Sequence, residues 1–253
     1  MEIEFLGTGT STGVPQIGCG CEVCRSSDVH DKRLRTSAIV RVGGVSLLID
    51  CGPDFRQQIL RATDSKIDAL LLTHIHFDHI GGIEDLRPYC LETPLDIYAQ
   101  PQVLDGLKAR VSYCFGDHRY PGIPRFELHS LDGDRFEVGG VVIEPLTVMH
   151  YKLPVFGYRI GKMAYITDAN NIPEVTFRRL EGVEYLIINA LRFEPHLSHF
   201  SLAETLSVIE RIKPKQAWLI HMSHGIGLHA STSLRLPSNV ALAYDTQILK
   251  LPD

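Results

Sequence analysis

A histidine-rich motif directly after an apolar run is the feature that most constrains the fold of this chain. Residues 70–82 read LLLTHIHFDHIGG, and four potential metal ligands lie within six positions: His74, His76, Asp78 and His79. The apolar run predicts a buried strand, which would present the side chains that follow it at the edge of a rigid sheet. An extended segment would place His74, His76 and Asp78 on one face, before a Gly-Gly turn and a helix. Because Zn²⁺ and Mn²⁺ accept imidazole and carboxylate ligands, the motif predicts a metal site.

The composition is that of an ordinary globular protein. The chain has 253 residues, 44% hydrophobic and 22% charged, with 25 basic and 30 acidic residues and a net charge of −5. This charge disfavours a protein whose affinity comes from binding a nucleic-acid backbone. The N-terminus has no basic start followed by an apolar run, and no window approaches 18 uninterrupted apolar residues, so we expect a cytoplasmic protein without a membrane segment.

Strands alternate with helices along the chain, and no repeat or linker divides it. We therefore expect one domain over residues 1–253, with a first half at about 1–125 and a second at 126–253. His118, in a predicted loop at 115–124, is expected to be a surface residue. Five predicted strands end in ligand-type residues, which is typical of an active site along one sheet edge. These residues are Asp50, His74, His150, Asp168 and His221.

The pattern His-x-His-x-Asp-His at 74–79 resembles the signature of the metallo-β-lactamase superfamily, a group of mostly dinuclear metal hydrolases. The resemblance implies an α/β (α+β) fold, the four-layer αβ/βα sandwich of the metallo-β-lactamase type. It also implies two divalent ions, Zn²⁺ or Mn²⁺, in the active site. The implied ligands are His74, His76 and His150 for the first ion, Asp78, His79 and His221 for the second, and Asp168 as a bridge between them.

Two aspartates among these ligands would leave about two positive charges on a pair of divalent ions, so the site should attract an anionic substrate. Such a pair can also generate a nucleophile from water near neutral pH. Asp50, at a strand end next to a glycine, could cap a helix, whereas the resemblance implies that it orients the metal-binding histidines through a hydrogen bond. We favour the second role.

Three cysteines form a second candidate site near the N-terminus. Cys19, Cys21 and Cys24 follow the spacing C-x-C-x-x-C, and a cytoplasmic compartment disfavours disulfides, so a metal is the better interpretation. A closed zinc site needs a fourth ligand, which His224 or His229 could supply. We therefore expect a Cys-rich zinc loop at about 7–35, held by one structural Zn²⁺.

This cysteine pattern is similar to that of the phosphoribosyl cyclic phosphate phosphodiesterases of the carbon-phosphorus lyase pathway. Those proteins combine three N-terminal cysteines with a C-terminal His-x-x-His, and the matching segment here is His221-Met-Ser-His224. The resemblance favours His224 over His229 as the fourth zinc ligand. It also implies that a histidine before the helix at 202, His199, faces the scissile phosphate, with His196 as the competing candidate.

The sequence therefore predicts a dinuclear metal-dependent phosphodiesterase with a small, cyclic substrate such as phosphoribosyl 1,2-cyclic phosphate. Asp78 and His199 are the predicted catalytic residues. The alternatives are a tRNA 3′ processing ribonuclease, a carboxylic ester, lactone or thioester hydrolase on the same metals, and a non-enzymatic accessory protein of cofactor biosynthesis. The ribonucleases carry a long arm for tRNA that has no counterpart here, so we do not expect nucleic acid as a partner. The family often forms homodimers, so the resemblance implies a homodimer.

Overall fold

The computed structural model describes residues 1–116 and 122–252, and the predicted surface residue His118 lies outside them. The described residues form fourteen strands and seven α-helices. The strands are β1 (Glu2–Gly7), β2 (Ser37–Val42), β3 (Val45–Ile49), β4 (Ala69–Leu71), β5 (Leu95–Ala99), β6 (Phe126–Ser130), β7 (Phe136–Val138), β8 (Val141–His150), β9 (Leu153–Ile160), β10 (Met163–Ile166), β11 (Tyr185–Asn189), β12 (Gln216–Ile220), β13 (Val240–Leu242) and β14 (Ile248–Lys250).

The helices are short and connect these strands. They are α1 (Glu22–Arg25), α2 (Phe55–Ile59), α3 (Phe77–Ile80), α4 (Pro101–Arg110), α5 (Glu174–Arg179), α6 (Leu202–Ile212) and α7 (His229–Ser233). Short 3₁₀ helices cover Val29–Asp31, Ile83–Cys90, Ser112–Cys114 and His224–Ile226. Helix α6 begins at Leu202, as predicted, and the side chain of the preceding Ser201 accepts the backbone N–H of Glu204 in a capping box.

The strands form two seven-stranded mixed sheets of similar construction. The first has the order β14-β1-β2-β3-β4-β5-β6 and the second the order β13-β12-β11-β10-β9-β8-β7. In each sheet an antiparallel portion continues into a parallel one: β3 to β6 are parallel in the first, and β10 to β13 in the second. Parallel strands need both faces covered, and the central ones, β3 and β4 in the first sheet and β10, β11 and β12 in the second, are almost entirely buried.

Three hydrophobic cores fill the spaces between four layers. The central core lies between the sheets and includes Phe5, Tyr158 and Trp218. A second core lies between the first sheet and the helices on its outer face, among them α4, which contributes Leu104. A third core lies between the second sheet and α6, which contributes Val208. This arrangement confirms the predicted four-layer αβ/βα sandwich. Among the described residues, no helix is long and apolar enough to span a bilayer.

The predicted extended course of the histidine motif is wrong. Strand β4 ends at Leu71, and Asp78 lies in the short helix α3 instead of a strand. The strand ends early because the backbone N–H of Thr73 donates to the side chain of Asp50 rather than to a neighbouring strand. The helical turn places Asp78 next to His79, with their side-chain atoms Oδ2 and Nε2 only 3.1 Å apart.

Close packing of two backbone segments holds α3 in this position. Cys51 donates its N–H to the carbonyl of His79 at 2.7 Å, and Gly82 donates to the carbonyl of Cys51 at 2.9 Å. A Cβ atom at Gly52 would overlap the carbonyl oxygen of Asp78. A glycine is therefore required for the segment after β3 to approach the helix that carries two candidate ligands.

We expect the substitution Gly52→Ala to destabilise the protein by about 1–3 kcal/mol, since the backbone of α3 must move to admit the methyl group. Denaturant unfolding of the purified variant measures this loss. Gly116→Ala is the matched control, because the nearest atom to its new Cβ is Ser112 O at 3.9 Å. Equal stability of the two variants would contradict the proposed close packing.

Candidate metal centre

The Asp50 carboxylate lies at the base of the histidine motif and accepts three hydrogen bonds. It is fully buried after β3, and its Oδ1 accepts the backbone N–H of Thr73 at 2.8 Å. Its Oδ2 accepts the Thr73 hydroxyl at 2.8 Å and the Nδ1–H of His79 at 2.6 Å. Because Thr73 donates its only hydroxyl proton, its oxygen accepts from Nδ1 of His74, 3.0 Å away. Asp50 thus has the second of its two predicted roles, fixing two imidazoles with Nδ1 protonated and Nε2 free.

The imidazoles of His74, His76 and His150 meet at one point of the sheet edge. His74 Nε2 lies 2.9 Å from Nδ1 of His76, and the rings of His76 and His150 are 5.1 Å apart between centroids. His150 ends β8 and donates its Nδ1–H to the carbonyl of Ser198 at 2.8 Å, which leaves its Nε2 unprotonated. One ring nitrogen of each histidine lies within 4.8 Å of the others, so the structure assembles the group predicted for the first metal.

A second group combines Asp78, His79, Asp168 and His221. Asp78 Oδ2 lies 3.5 Å from Nε2 of His221. Asp168 Oδ1 lies 3.3 Å from Nε2 of His79 and 3.2 Å from Nε2 of His221, while its Oδ2 lies 3.8 Å from Nε2 of His74. One carboxylate oxygen therefore faces each group. The bridging role of Asp168 stays a prediction, and this geometry supports it.

Three ring nitrogens of the second group are buried without a hydrogen-bond partner among the described residues. They are Nε2 of His79 and both nitrogens of His221, in side chains that are at most 1% exposed. A buried polar atom without a partner costs roughly 1–3 kcal/mol. Carboxylate oxygens surround both Nε2 atoms, so a cation between them would satisfy nitrogen and oxygen lone pairs together. The residues fit a divalent metal ion on this ground.

Burial favours the metal-binding protonation state in the first group. Burial lowers the pKa of His74, His76 and His150, so their imidazoles are neutral at pH 7.

Burial alone would raise the pKa of the Asp78 and Asp168 carboxyls, but the neighbouring imidazoles of the second group lower both below their usual range. The two carboxylates are therefore ionised. In the second group burial alone would lower the pKa of His79, but the Asp168, Asp78 and Asp50 carboxylates raise it well above its usual value, so a bound cation would take the place of the His79 proton.

The backbone is left-handed at three residues of the site. The φ angles are 58° at Asp50, 56° at Asp168 and 54° at His221, each one or two residues after a strand. This conformation costs a residue with a side chain roughly 1–2 kcal/mol, and it persists where the surrounding structure holds the residue in place, as at many functional sites. The sequence does not predict the left-handed backbone at these residues. Its only signal is that Asp and His tolerate this conformation better than most residues, which is too general to locate it.

His199 lies beside the Asp168 carboxylate. Its Nε2 is 3.1 Å from Asp168 Oδ2, and its side chain is 12% exposed. Its Nδ1 lies 3.0 Å from the hydroxyl of Ser198 and 3.2 Å from Nδ1 of His196. Of the two candidates, His199 therefore contacts the metal-ligand groups and His196 packs behind it.

The cysteine cluster lies near the same edge of the sandwich. Nδ1 of His224 is 3.2 Å from the sulfur of Cys19, 3.3 Å from that of Cys21 and 3.5 Å from that of Cys24. Tetrahedral zinc with usual bond lengths separates sulfur and nitrogen by about 3.5 Å, so these four side chains fit a structural zinc ion. The alternative ligand, His229, instead places its Nδ1 3.2 Å from Nη2 of Arg33.

Hydrogen bonds favour the thiolate form of one cysteine of the cluster, and others connect the N-terminal loop to the histidine centre. The backbone N–H of Cys24 lowers the pKa of the Cys21 thiol to about 6, which favours the thiolate that binds zinc. Thr10 donates its N–H to the carbonyl of Met222 at 3.0 Å, and Met222 donates to Thr8 at 3.0 Å. The N-terminal loop is thus paired with the residue that follows His221.

Comparison with known proteins gives one family match and several full-length or partial relatives. Residues 46–222 match a family model described as beta-lactamase superfamily domain. A solved structure described as a new diphosphatase from the PhnP family is similar to this chain with a TM-score of 0.93 and 38% identity, covering 99% of this chain and 98% of that one.

Two curated relatives are longer than this chain. An octanoyltransferase of Porphyromonas gingivalis is 44% identical over 248 residues, which cover 97% of this chain and 50% of that protein. A ribonuclease Z of Crocosphaera subtropica is 32% identical over 169 residues, which cover 64% of this chain and 48% of that protein. The chain spans about half the length of these curated relatives.

We expect the substitution Asp50→Asn to weaken metal binding at the histidine centre by about 10- to 100-fold, because the amide no longer holds His79 and Thr73 as the carboxylate does. Titration of the metal-depleted variant with Mn²⁺ gives the affinity. Asp68→Asn is the matched control, since Asp68 also accepts a backbone N–H, from Ser46 at 2.8 Å, but belongs to neither ligand group. Unchanged affinity in Asp50→Asn would contradict the orienting role.

We expect His224→Ala to remove one equivalent of zinc and to lower the unfolding temperature, because three thiolates alone leave the tetrahedral site open. Elemental analysis of the purified protein counts the zinc. His229→Ala should retain that zinc, since His229 contacts Arg33 instead of the cysteines. The reverse result, with zinc lost from the His229 variant only, would assign the fourth ligand to His229.

Proposed function

The chain belongs to the beta-lactamase superfamily, and from this membership and its metal-ligand geometry we propose that it is a metal-dependent phosphodiesterase. The proposed substrate is a small anionic phosphodiester. The leading candidate is a cyclic phosphodiester such as phosphoribosyl 1,2-cyclic phosphate. In support, two of the similar proteins are named a diphosphatase and a ribonuclease, which are both names for enzymes that cleave bonds to phosphorus.

The observation that carries this proposal is the position of Asp168 between the two ligand groups. Because one of its oxygens faces each group, we propose two divalent ions, Zn²⁺ or Mn²⁺, rather than one. Asp78 and Asp168 supply two negative charges against four on the ions, so the loaded centre has about two positive charges left. That charge suits an anionic phosphodiester better than a neutral ester or lactone.

The protein residues would bind, orient and protonate the substrate around this centre. When bound, the ions supply Lewis-acid charge and a nucleophile generated from water at neutral pH. His199 points Nε2 at the Asp168 side of the centre, where its Nε2–H can stabilise charge on the phosphoryl oxygens. In its imidazolium form the ring can give a proton to the departing alkoxide and return to neutral imidazole. Ser198 and His196, both within 3.2 Å of its Nδ1, hold the ring in that orientation. Asp78, which is 8% exposed, is the second proposed catalytic residue and would orient the nucleophile.

The test is a set of initial rates on bis(p-nitrophenyl) phosphate, a thioester, a lactone and a tRNA precursor, after Zn²⁺ or Mn²⁺ is returned to chelated protein. We expect turnover of the diester alone, with cyclic phosphates then screened as substrates. Acyl-ester turnover with an inert diester would overturn the phosphodiesterase assignment, and efficient cleavage of the tRNA precursor would favour the ribonuclease alternative.

Variants assign the diester turnover to the proposed residues. Asp168→Ala should reduce it to background through loss of metal, whereas His199→Ala should lower kcat by about 10²- to 10⁴-fold with the metal content retained. His129→Ala is the control, because His129 pairs with Asp96 on strands β5 and β6 and belongs to neither ligand group. Wild-type kcat in the His199 variant would remove that residue from the mechanism.

A further inference from the structure

Asn189 is a fully buried residue whose amide binds the backbone next to Asp168. It is the last residue of β11 and has no exposed surface. Its Oδ1 accepts the N–H of Ala169 at 2.8 Å, and its Nδ2 donates to the carbonyl of the same residue at 2.9 Å. One side chain therefore makes the pair of hydrogen bonds that two facing residues of antiparallel strands exchange.

This pair of bonds takes the place of the strand-to-strand hydrogen bonds between β10 and β11, which end before Asp168. Strands β10 and β11 pair in parallel up to Ile166 and Ile188, after which the left-handed backbone at Asp168 leaves the ladder. Ala169 is completely buried, so its N–H and carbonyl need partners that the sheet no longer provides. The Asn189 amide pairs with the N–H and is one of two partners of the carbonyl, so Asp168 can turn toward the ligand groups without leaving buried backbone groups unpaired.

The same carbonyl also fixes the segment that carries His199. Ala169 O accepts the N–H of Phe200 at 2.7 Å, in addition to Nδ2 of Asn189. Phe200 directly follows His199, whose Nε2 lies 3.1 Å from Asp168 Oδ2. The positions of the carboxylate and the histidine therefore depend on one backbone group that Asn189 holds.

Helix α6 anchors Asn189 in turn. The hydroxyl of Thr205, a fully buried residue of α6, donates to the backbone carbonyl of Asn189 at 2.7 Å. The backbone of Asn189 is thus held by its strand on one side and by a helix on the other, which fixes the point from which its side-chain amide reaches Ala169.

We infer that Asn189 is a positioning residue for the metal centre: its amide holds the Asp168 carboxylate between the two ligand groups and keeps His199 against it. This inference rests on the proposed function. Asn189 belongs to neither ligand group, and it acts through its two hydrogen bonds to Ala169.

Two substitutions of Asn189 by side chains of similar size distinguish the contribution of the amide donor from that of the amide acceptor. Asn189→Asp keeps an oxygen for the N–H of Ala169 but loses the donor to its carbonyl, and Asn189→Leu loses both. Asn239→Asp is the matched control, because Nδ2 of Asn239 donates to a single carbonyl, that of Pro214 at 3.4 Å, before β13.

The measurement is calorimetric titration of the full chain with Mn²⁺, after weakly held metal is removed and the zinc of the cysteine cluster is counted. We expect both Asn189 variants to bind Mn²⁺ about 10- to 100-fold more weakly, as when a partner that orients a ligand is lost. We also expect the electron paramagnetic resonance spectrum to change from that of a coupled Mn²⁺ pair to that of isolated ions. The zinc of the cysteine cluster should remain, which a general loss of structure would not allow.

Wild-type Mn²⁺ affinity and a coupled spectrum in both variants would overturn the inference. If Asn189→Leu does not fold, Thr205→Val replaces it: a smaller loss of Mn²⁺ affinity supports the inference, and unchanged affinity overturns it. Metal binding is measured without diester turnover. A wild-type chain that binds two Mn²⁺ ions but cleaves no diester would therefore refute the proposed function and leave the positioning role to be decided by the variants.

Discussion

The hydrogen bond between Asp50 and His79 is the contact on which the rest of the site depends. It joins the end of β3 to helix α3 inside the protein, where neither group can reach water. The same carboxylate takes the N–H of Thr73, which stops β4 and lets the chain turn into α3. One buried side chain therefore decides where a strand ends, where a helix begins and which imidazole nitrogens are free for metal.

Sequence reasoning reached the buried strands and the histidine motif because both are encoded locally, whereas the four-layer sandwich and the full ligand set were implied by the resemblance to the metallo-β-lactamase superfamily. Apolar runs mark buried strands, and the histidine spacing at 74–79 is a motif within six residues. The helical position of Asp78 was out of reach, because it depends on a bond from Asp50, more than twenty residues away in sequence. Asn189 gave no signal either, since an asparagine at the end of a strand is most often a turn residue.

The centre is assembled from both halves of the sandwich. Asp50 and the histidine motif follow strands of the first sheet, whereas His150, Asp168 and His221 lie at the ends of strands of the second. The N-terminal cysteine loop adds a further link, because it pairs with Met222 and meets His224 a few residues after the candidate ligand His221. Each sheet supplies an incomplete set of ligands, and only their packing on the central core completes it.

A centre shared between two sheets makes metal binding part of the folding equilibrium. Ions bound there would bind the native chain and have little affinity for an unfolded one, in which the ligands of the two sheets are far apart. By mass action, each such site adds about 2.7 kcal/mol to the free energy of unfolding when the free metal is a hundredfold above its dissociation constant. The resistance of this protein to unfolding would then follow the free divalent-metal concentration around it, so a cell that withdraws those ions would lower the lifetime of the enzyme as well as its activity.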